Sequence, residues 1–166
     1  MPIIAIISDT HDNLINIKKC LAFCNKKKVK YLLHCGDWCG LPTMRFIRKN
    51  FSGRIIGVLG NAELNSDKMK SFGAKNDLLL KDDWTEIEID IIKIALSHSP
   101  VKAVKLARTK KYDFVFHGHD HKPWLAKAVK TFIANPGNLA GIYYKPTFAV
   151  LDTKTKKLEL KLIELL

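Results

Sequence analysis

Six histidines occur in this chain of 166 residues, and four of them stand in short polar clusters: Asp9-Thr10-His11, Ser97-His98 and Gly118-His119-Asp120-His121. Gly36-Asp37 and Gly60-Asn61 add two more clusters. Imidazole nitrogen with carboxylate oxygen makes a mixed donor set that suits Zn, Mn, Fe or Ni. In an extended segment, residues two apart point the same way, so Asp-x-His and His-x-His can each reach one small volume. Asp9, His11, Asp37, Asn61, His98, His119 and His121 exceed the donor count of a tetrahedral zinc and suit two ions sharing a bridging group. Taken singly, an Asp before a helix is a cap, and a Gly-Asp or Gly-Asn is a turn. Their joint placement is what points to metal.

Every cluster follows an apolar run: Ile3 to Ile7, Tyr31 to Cys35, Arg54 to Leu59, Ile91 to Leu96 and Phe114 to Phe116. Such short β-branched runs read as strands buried on both faces. In α/β sheets, ligands bind where loops leave the carboxyl ends of strands. Between the runs, Asp12 and Asn13 offer a cap, and Leu14, Ile17, Leu21 and Cys24 recur at helical spacing up to Lys26–Lys28. A second helix is expected over 42–50, with Pro42 in its first turn, and a third near 100–110.

The opening is therefore β-α-β-α-β, the pattern of a parallel sheet. Thr85 to Ile89 alternates as a further strand, and 125–129, 131–134, 147–152 and 157–164 suggest a closing run of antiparallel strands. The expected architecture is an α/β fold, a two-sheet β-sandwich flanked by helices, with residues 1–166 as a single domain. Segments 38–44, 62–76 and 99–105 are expected to be loops that govern substrate choice.

Composition is globular, with 47% hydrophobic and 27% charged residues, which excludes a disordered or collagenous chain. No apolar stretch is long enough to span a bilayer, and no membrane partner is expected. The amino terminus reads as a first strand and not as a signal peptide. Cys20, Cys24, Cys35 and Cys39 are expected to be reduced thiols in a cytoplasmic protein and neither disulfides nor a zinc site. The basic residues behind the net charge of +12 are mostly lysine, with short runs such as Lys26-Lys27-Lys28, Lys110-Lys111 and Lys156-Lys157 at the ends of elements. A solvated lysine surface is favoured over a dedicated nucleic-acid face, although the positive field would attract an anionic substrate.

Asp9-x-His11, Gly36-Asp37, Gly60-Asn61, His98 and Gly118-His119-x-His121 resemble the ordered motif set of the calcineurin-like metallophosphoesterases. The similarity runs over residues 3 to about 160, and with the Asn135-Pro136-Gly137 turn it resembles the small single-domain bacterial and archaeal phosphodiesterase branch. The resemblance implies two divalent transition-metal ions, among Mn, Ni, Fe and Zn. It assigns Asp9, His11 and His121 to one and Asn61, His98 and His119 to the other, with Asp37 bridging. It implies catalytic roles for Asp37, Asn61 and His98, in-line attack of a metal-bridging hydroxide on a small phosphate diester, and amides at the helix start near Asp12-Asn13 helping to hold the anion. Many relatives carry a His after the Gly-Asn pair to protonate the leaving group. Ala62 cannot do this, so monoesters with poor leaving groups are disfavoured.

Asn138, where the branch often has Ser, is read as part of a structural turn. His34 and His117 are read as packing or supporting residues, Asp120 as pointing away, and Glu63 as an acceptor orienting a ligand histidine. Trp38, Cys39 and Leu41 are placed at the substrate entrance. The alternatives are a nuclease and a non-catalytic metal-binding scaffold of the same fold, like the retromer subunit.

Overall fold

The apolar runs that precede the polar clusters become the central strands of two stacked sheets. The computed structural model describes residues 2–166. In chain order the elements are β1 (Ile3–Ile7), α1 (Leu14–Lys26), β2 (Tyr31–His34), α2 (Leu41–Asn50), β3 (Arg54–Val58), α3 (Ser66–Lys75), β4 (Leu78–Lys81) and β5 (Trp84–Ile89). There follow β6 (Ile92–Ser97), α4 (Pro100–Arg108), β7 (Phe114–Phe116), β8 (Trp124–Ala128), β9 (Thr131–Asn135), β10 (Thr147–Asp152), β11 (Lys157–Leu162) and a short 3-10 turn, Ile163–Leu165. Strand order is β11-β10-β1-β2-β3-β4 in one sheet and β5-β6-β7-β9-β8 in the other. Among the described residues, no helix is long and apolar enough to cross a membrane.

Alternation along β1 sets the layers. Ile4 and Ile6 face the second sheet, where they join Leu33, Ile56, Ile94, Leu96 and Phe116. Ala5 and Ile7 face the opposite way, onto Ile17 and Leu21 of α1 and Met44 and Ile47 of α2. On the far side of the second sheet, Ala103, Leu106 and Ala107 of α4 cover Ala95, Val115 and Ile133. The result is the expected α/β/β/α sandwich, and both central strands are apolar throughout because both of their faces are covered.

Three expectations need correction. The segment 62–76 is not a loop: it contains α3, and β4 follows it, pairing in parallel with β3. In the same way α2 begins at Leu41 and α4 at Pro100, so the segments 38–44 and 99–105 are largely helix starts. Nor do the last four strands form one antiparallel run. β8 and β9 pair antiparallel in one sheet while β9 runs parallel to β7, and β10 and β11 close the other sheet beside β1.

The parallel pairing of β1, β2 and β3, and of β6, β7 and β9, brings their carboxyl ends to one end of the sandwich. Lys26–Lys28, Lys110-Lys111 and the Lys154–Lys157 turn lie at the opposite end, where these strands begin. These lysine runs therefore lie away from the polar clusters.

Candidate metal centre

The loops leaving β1 and β2 are laced together by backbone hydrogen bonds. The Asp9 amide donates to Gly36 O at 3.0 Å, and the Thr10 and His11 amides donate to Asp37 O at 2.9 and 3.2 Å. This lacing requires sharp turns. Asp9, His11, Asp37, His119 and His121 all hold left-handed φ angles, between 38° and 77°. Such backbone is costly for these residue types and concentrates where geometry is over-determined. Asp-x-His and His-x-His therefore converge through turns, and not through the extended same-side geometry expected from their spacing.

Glycine supplies room more than rotation. A Cβ on Gly60 would collide with the Asp37 carboxylate, and one on Gly118 would collide with Ser8 and Asp9. Of the glycines preceding Asp37, Asn61 and His119, only Gly36 has a positive φ, 98°.

All seven side chains meet in one place. Asp9, His11, Asp37 and His121 present donor atoms that lie within 4.8 Å of one another. His11 Nε2 lies 3.2 Å from His121 Nε2 and 3.6 Å from Asp37 Oδ2, and His121 Nε2 lies 3.3 Å from Asp9 Oδ1. Beside them, Asn61 Oδ1 is 2.9 Å from both His98 Nε2 and His119 Nδ1. Asp37 stands between the two groups: its Oδ1 is 3.4 Å from His98 Nε2 while its Oδ2 faces His11.

The donor chemistry fits a cation. His98 Nδ1 donates to the Cys35 carbonyl at 2.9 Å, which leaves Nε2 with its lone pair facing the Asn61 carbonyl oxygen. Two acceptors at that distance need a positive charge between them. His11 Nδ1 lies 3.4 Å from Cys39 Sγ, so its Nε2 is likewise turned toward the carboxylates. Burial lowers the pKa of His98 and His121, which keeps both imidazoles neutral and able to ligate. Burial pushes the Asp9 carboxyl up to about 7; the Asp37 charge adds to this, while the hydrogen bonds from the His119 amide oppose it. A bound cation reverses that balance by favouring the carboxylate.

The neighbours divide clearly. His34 accepts from the Gly36 amide through Nδ1, bonds Thr10 through Nε2 and stacks on Trp38 with ring centroids 3.6 Å apart, so both of its nitrogens are committed to the scaffold. Trp38 is fully buried, with its indole N–H on Val58 O, and does not line an entrance. Glu63 does not orient a histidine. Its Oε1 accepts from the Trp38 amide, and burial raises its carboxyl to about 7. Around Asp12-Asn13, the amides of Asn13, Leu14 and Asn16 are taken by Thr10, Asp12 and the Asn13 side chain, so these three are not available to an anion.

Two supporting residues were not foreseen in their roles. Cys39 lies behind His11. Buried Asn138 does more than close a turn: it donates to His121 O at 3.0 Å and accepts from the Ile142 amide at 2.7 Å, fixing the His121 loop. A cleft of about 430 Å³ opens beside Asn61, His98 and His119, with Leu59, Pro100 and Val101 as its apolar wall and Asp82 and Asp83 at its rim.

Residues 3–156 match the family described as the calcineurin-like phosphoesterase superfamily domain. A phosphodiesterase of Methanocaldococcus jannaschii is 32% identical over 158 residues, covering 93% of this chain and 95% of that protein. Among solved structures, an archaeal phosphodiesterase superposes with a TM-score of 0.88 at 30% identity, covering 96% of this chain and 99% of that one. Vacuolar protein sorting 29 of Cryptosporidium parvum is similar in fold, with a TM-score of 0.68 at 18% identity over 96% of this chain and 95% of that one.

Proposed function

The chain belongs to the calcineurin-like phosphoesterase superfamily and is a metal-dependent phosphoesterase, and from that premise we propose that it is a dinuclear phosphodiesterase acting on a small phosphate diester. The observation that carries this reading is the position of Asp37, one oxygen 3.6 Å from His11 Nε2 and the other 3.4 Å from His98 Nε2. In this assignment Asp9, His11 and His121 hold one ion, Asn61, His98 and His119 hold the other, and Asp37 joins them. The donors suit Mn, Ni, Fe or Zn alike.

Divalent ions bound there supply activation of a water molecule and neutralisation of the phosphoryl oxygens. The chain's own part is positioning. Asp37 is held by the Asn61 and Ala62 amides, both 2.9 Å from its Oδ1. The His98 tautomer is set by Cys35 O, and the His119 amide donates to both Asp9 oxygens at 3.2 Å. Ala62 offers no proton to a departing oxygen, which favours diesters with good leaving groups over alkyl monoesters. The four free cysteines suit a reducing, cytoplasmic setting.

The test is hydrolysis of an aryl phosphodiester and its monoester by metal-stripped protein refilled with Mn, Ni or Zn, with Asp37→Asn alongside. Restored diester hydrolysis that Asp37→Asn loses, with metal content falling in the variant, supports the reading. Normal turnover by Asp37→Asn would remove Asp37 from the bridging position. Two bound equivalents of metal with no hydrolysis of either ester would favour a scaffold.

A further inference from the structure

The end of the sandwich opposite the metal centre carries two features that phosphoester hydrolysis does not use. The first is a cleft of about 530 Å³ at the starting edge of the second sheet, lined by Lys93, Lys110, Lys111 and Lys130 together with Glu86 and Glu88. Glu86 is engaged by the Tyr112 hydroxyl, and none of the four lysines takes part in an ion pair among the described residues. The second feature is a pair of exposed aliphatic turn tips on either side of the cleft. Ile89 pairs with Ile92, so Asp90-Ile91 is a two-residue turn with Ile91 68% exposed. Ala128 pairs with Thr131, so Val129-Lys130 is another, with Val129 74% exposed.

Val129 holds φ 58°. A β-branched residue in that region is a genuine outlier, and tight hairpins ordinarily place Gly, Asn or Asp there. An aliphatic side chain is thus kept at the tip of a turn against both backbone preference and solvation. Strand order places the two tips three strand spacings apart, about 14 Å, with Lys93 and Lys110-Lys111 between them.

We propose that this end is a docking face for an anionic phospholipid surface, with the lysines meeting headgroup phosphates and Ile91 and Val129 entering the interface. Lysines near such a surface contribute about 1 kcal/mol each, and short apolar insertions add to them. Nucleic acid is the less suitable polyanion. The exposed aromatic side chains Trp84, Tyr143 and Tyr144 lie toward the metal end, so this face has no exposed stacking platform, and aliphatic tips gain nothing against a phosphate backbone. Docking in this way leaves the metal centre facing the aqueous phase.

The experiment is co-sedimentation of the metal-loaded protein with vesicles of phosphatidylcholine alone and of phosphatidylcholine with phosphatidylserine. Soluble aryl phosphoester hydrolysis serves as the folding control. Binding is expected only to the serine-containing vesicles and should weaken with salt. Lys110→Glu with Lys111→Glu should reduce it at least about tenfold. Val129→Gly, which suits the positive φ, should reduce it several-fold without loss of stability. Equal binding to both vesicles, no binding to either, or full binding by the double charge reversal would overturn the proposal. So would an unaltered Val129→Gly, or a duplex oligonucleotide that binds this face in preference to the vesicles.

Discussion

Cys39 Sγ lies 3.4 Å from Nδ1 of His11, on the side of the ring away from Nε2, which faces Asp9, Asp37 and His121. With Nε2 given to a metal, Nδ1 carries the ring proton and donates a hydrogen bond to the Cys39 sulfur. Groups behind a ligand histidine typically tune affinity by 10–100-fold. Cys39→Ala is therefore expected to weaken metal binding about tenfold, and Cys39→Ser to retain most of it. Titration with Co or Zn, read by absorbance or calorimetry, checks both.

Gly60→Ala places a methyl group against the Asp37 carboxylate and the Asp37 amide. The carboxylate must move, and overpacking of this kind costs about 1–3 kcal/mol. Lower thermal stability together with reduced metal occupancy is expected. A variant with wild-type values for both would show that the Asp37 loop yields freely.

Ala62→His supplies a proton donor next to Asn61. Monoester hydrolysis should rise relative to diester hydrolysis by at least about tenfold, a fraction of the 10²–10⁴-fold that a well-placed general acid contributes. The ratio of kcat/KM for the two aryl esters is the measurement.

Asp9 gives a stability prediction with a defined sign. Its carboxyl sits at about 7 in the fold against 3.8 for the free group. Between those values the folded metal-free chain binds more protons than the unfolded chain, so this contribution is fully favourable below pH 4 and is lost as pH rises through 7. Asp9→Asn stays neutral at every pH and so removes that loss. Without metal, the variant should match wild type near pH 4 and exceed it above pH 7 by at least about 1 kcal/mol, roughly 2–4 °C in Tm. With metal added the order should reverse, since the variant lacks a ligand oxygen. Thermal melts at the two pH values, with and without metal, decide the matter.

The central strands were legible because residues such as Ile4 to Ile7 and Ile94 to Leu96 are buried on both sides and read as continuous apolar runs. α3 was not, because Ser66 to Lys75 buries only Met69 and Gly73, and Gly73 gains its place from close approach to Leu78 and not from periodicity. β4 was hidden by its leucines, which favour helices and carry little strand signal. At the metal centre, residue types and order marked the donors, but spacing alone suggested extended pairs where left-handed turns do the positioning. The supports Cys39 and Asn138 depend on contacts with His11 and His121, at a separation no local pattern encodes. The placement of the lysine runs at one end depends in the same way on strand direction.

Asp9, His11, Asp37 and Asn61 come from loops of the first sheet, and His98, His119 and His121 come from the second. Ions held by both sets would rivet the open end of the sandwich. Pulling the two sheets apart from that end would then require metal–ligand bonds to break before the apolar layer of Ile6, Leu33 and Phe116 meets water. The lifetime of the loaded protein would be governed by how fast the ions leave, and a chelator would act on it as a clock for unfolding.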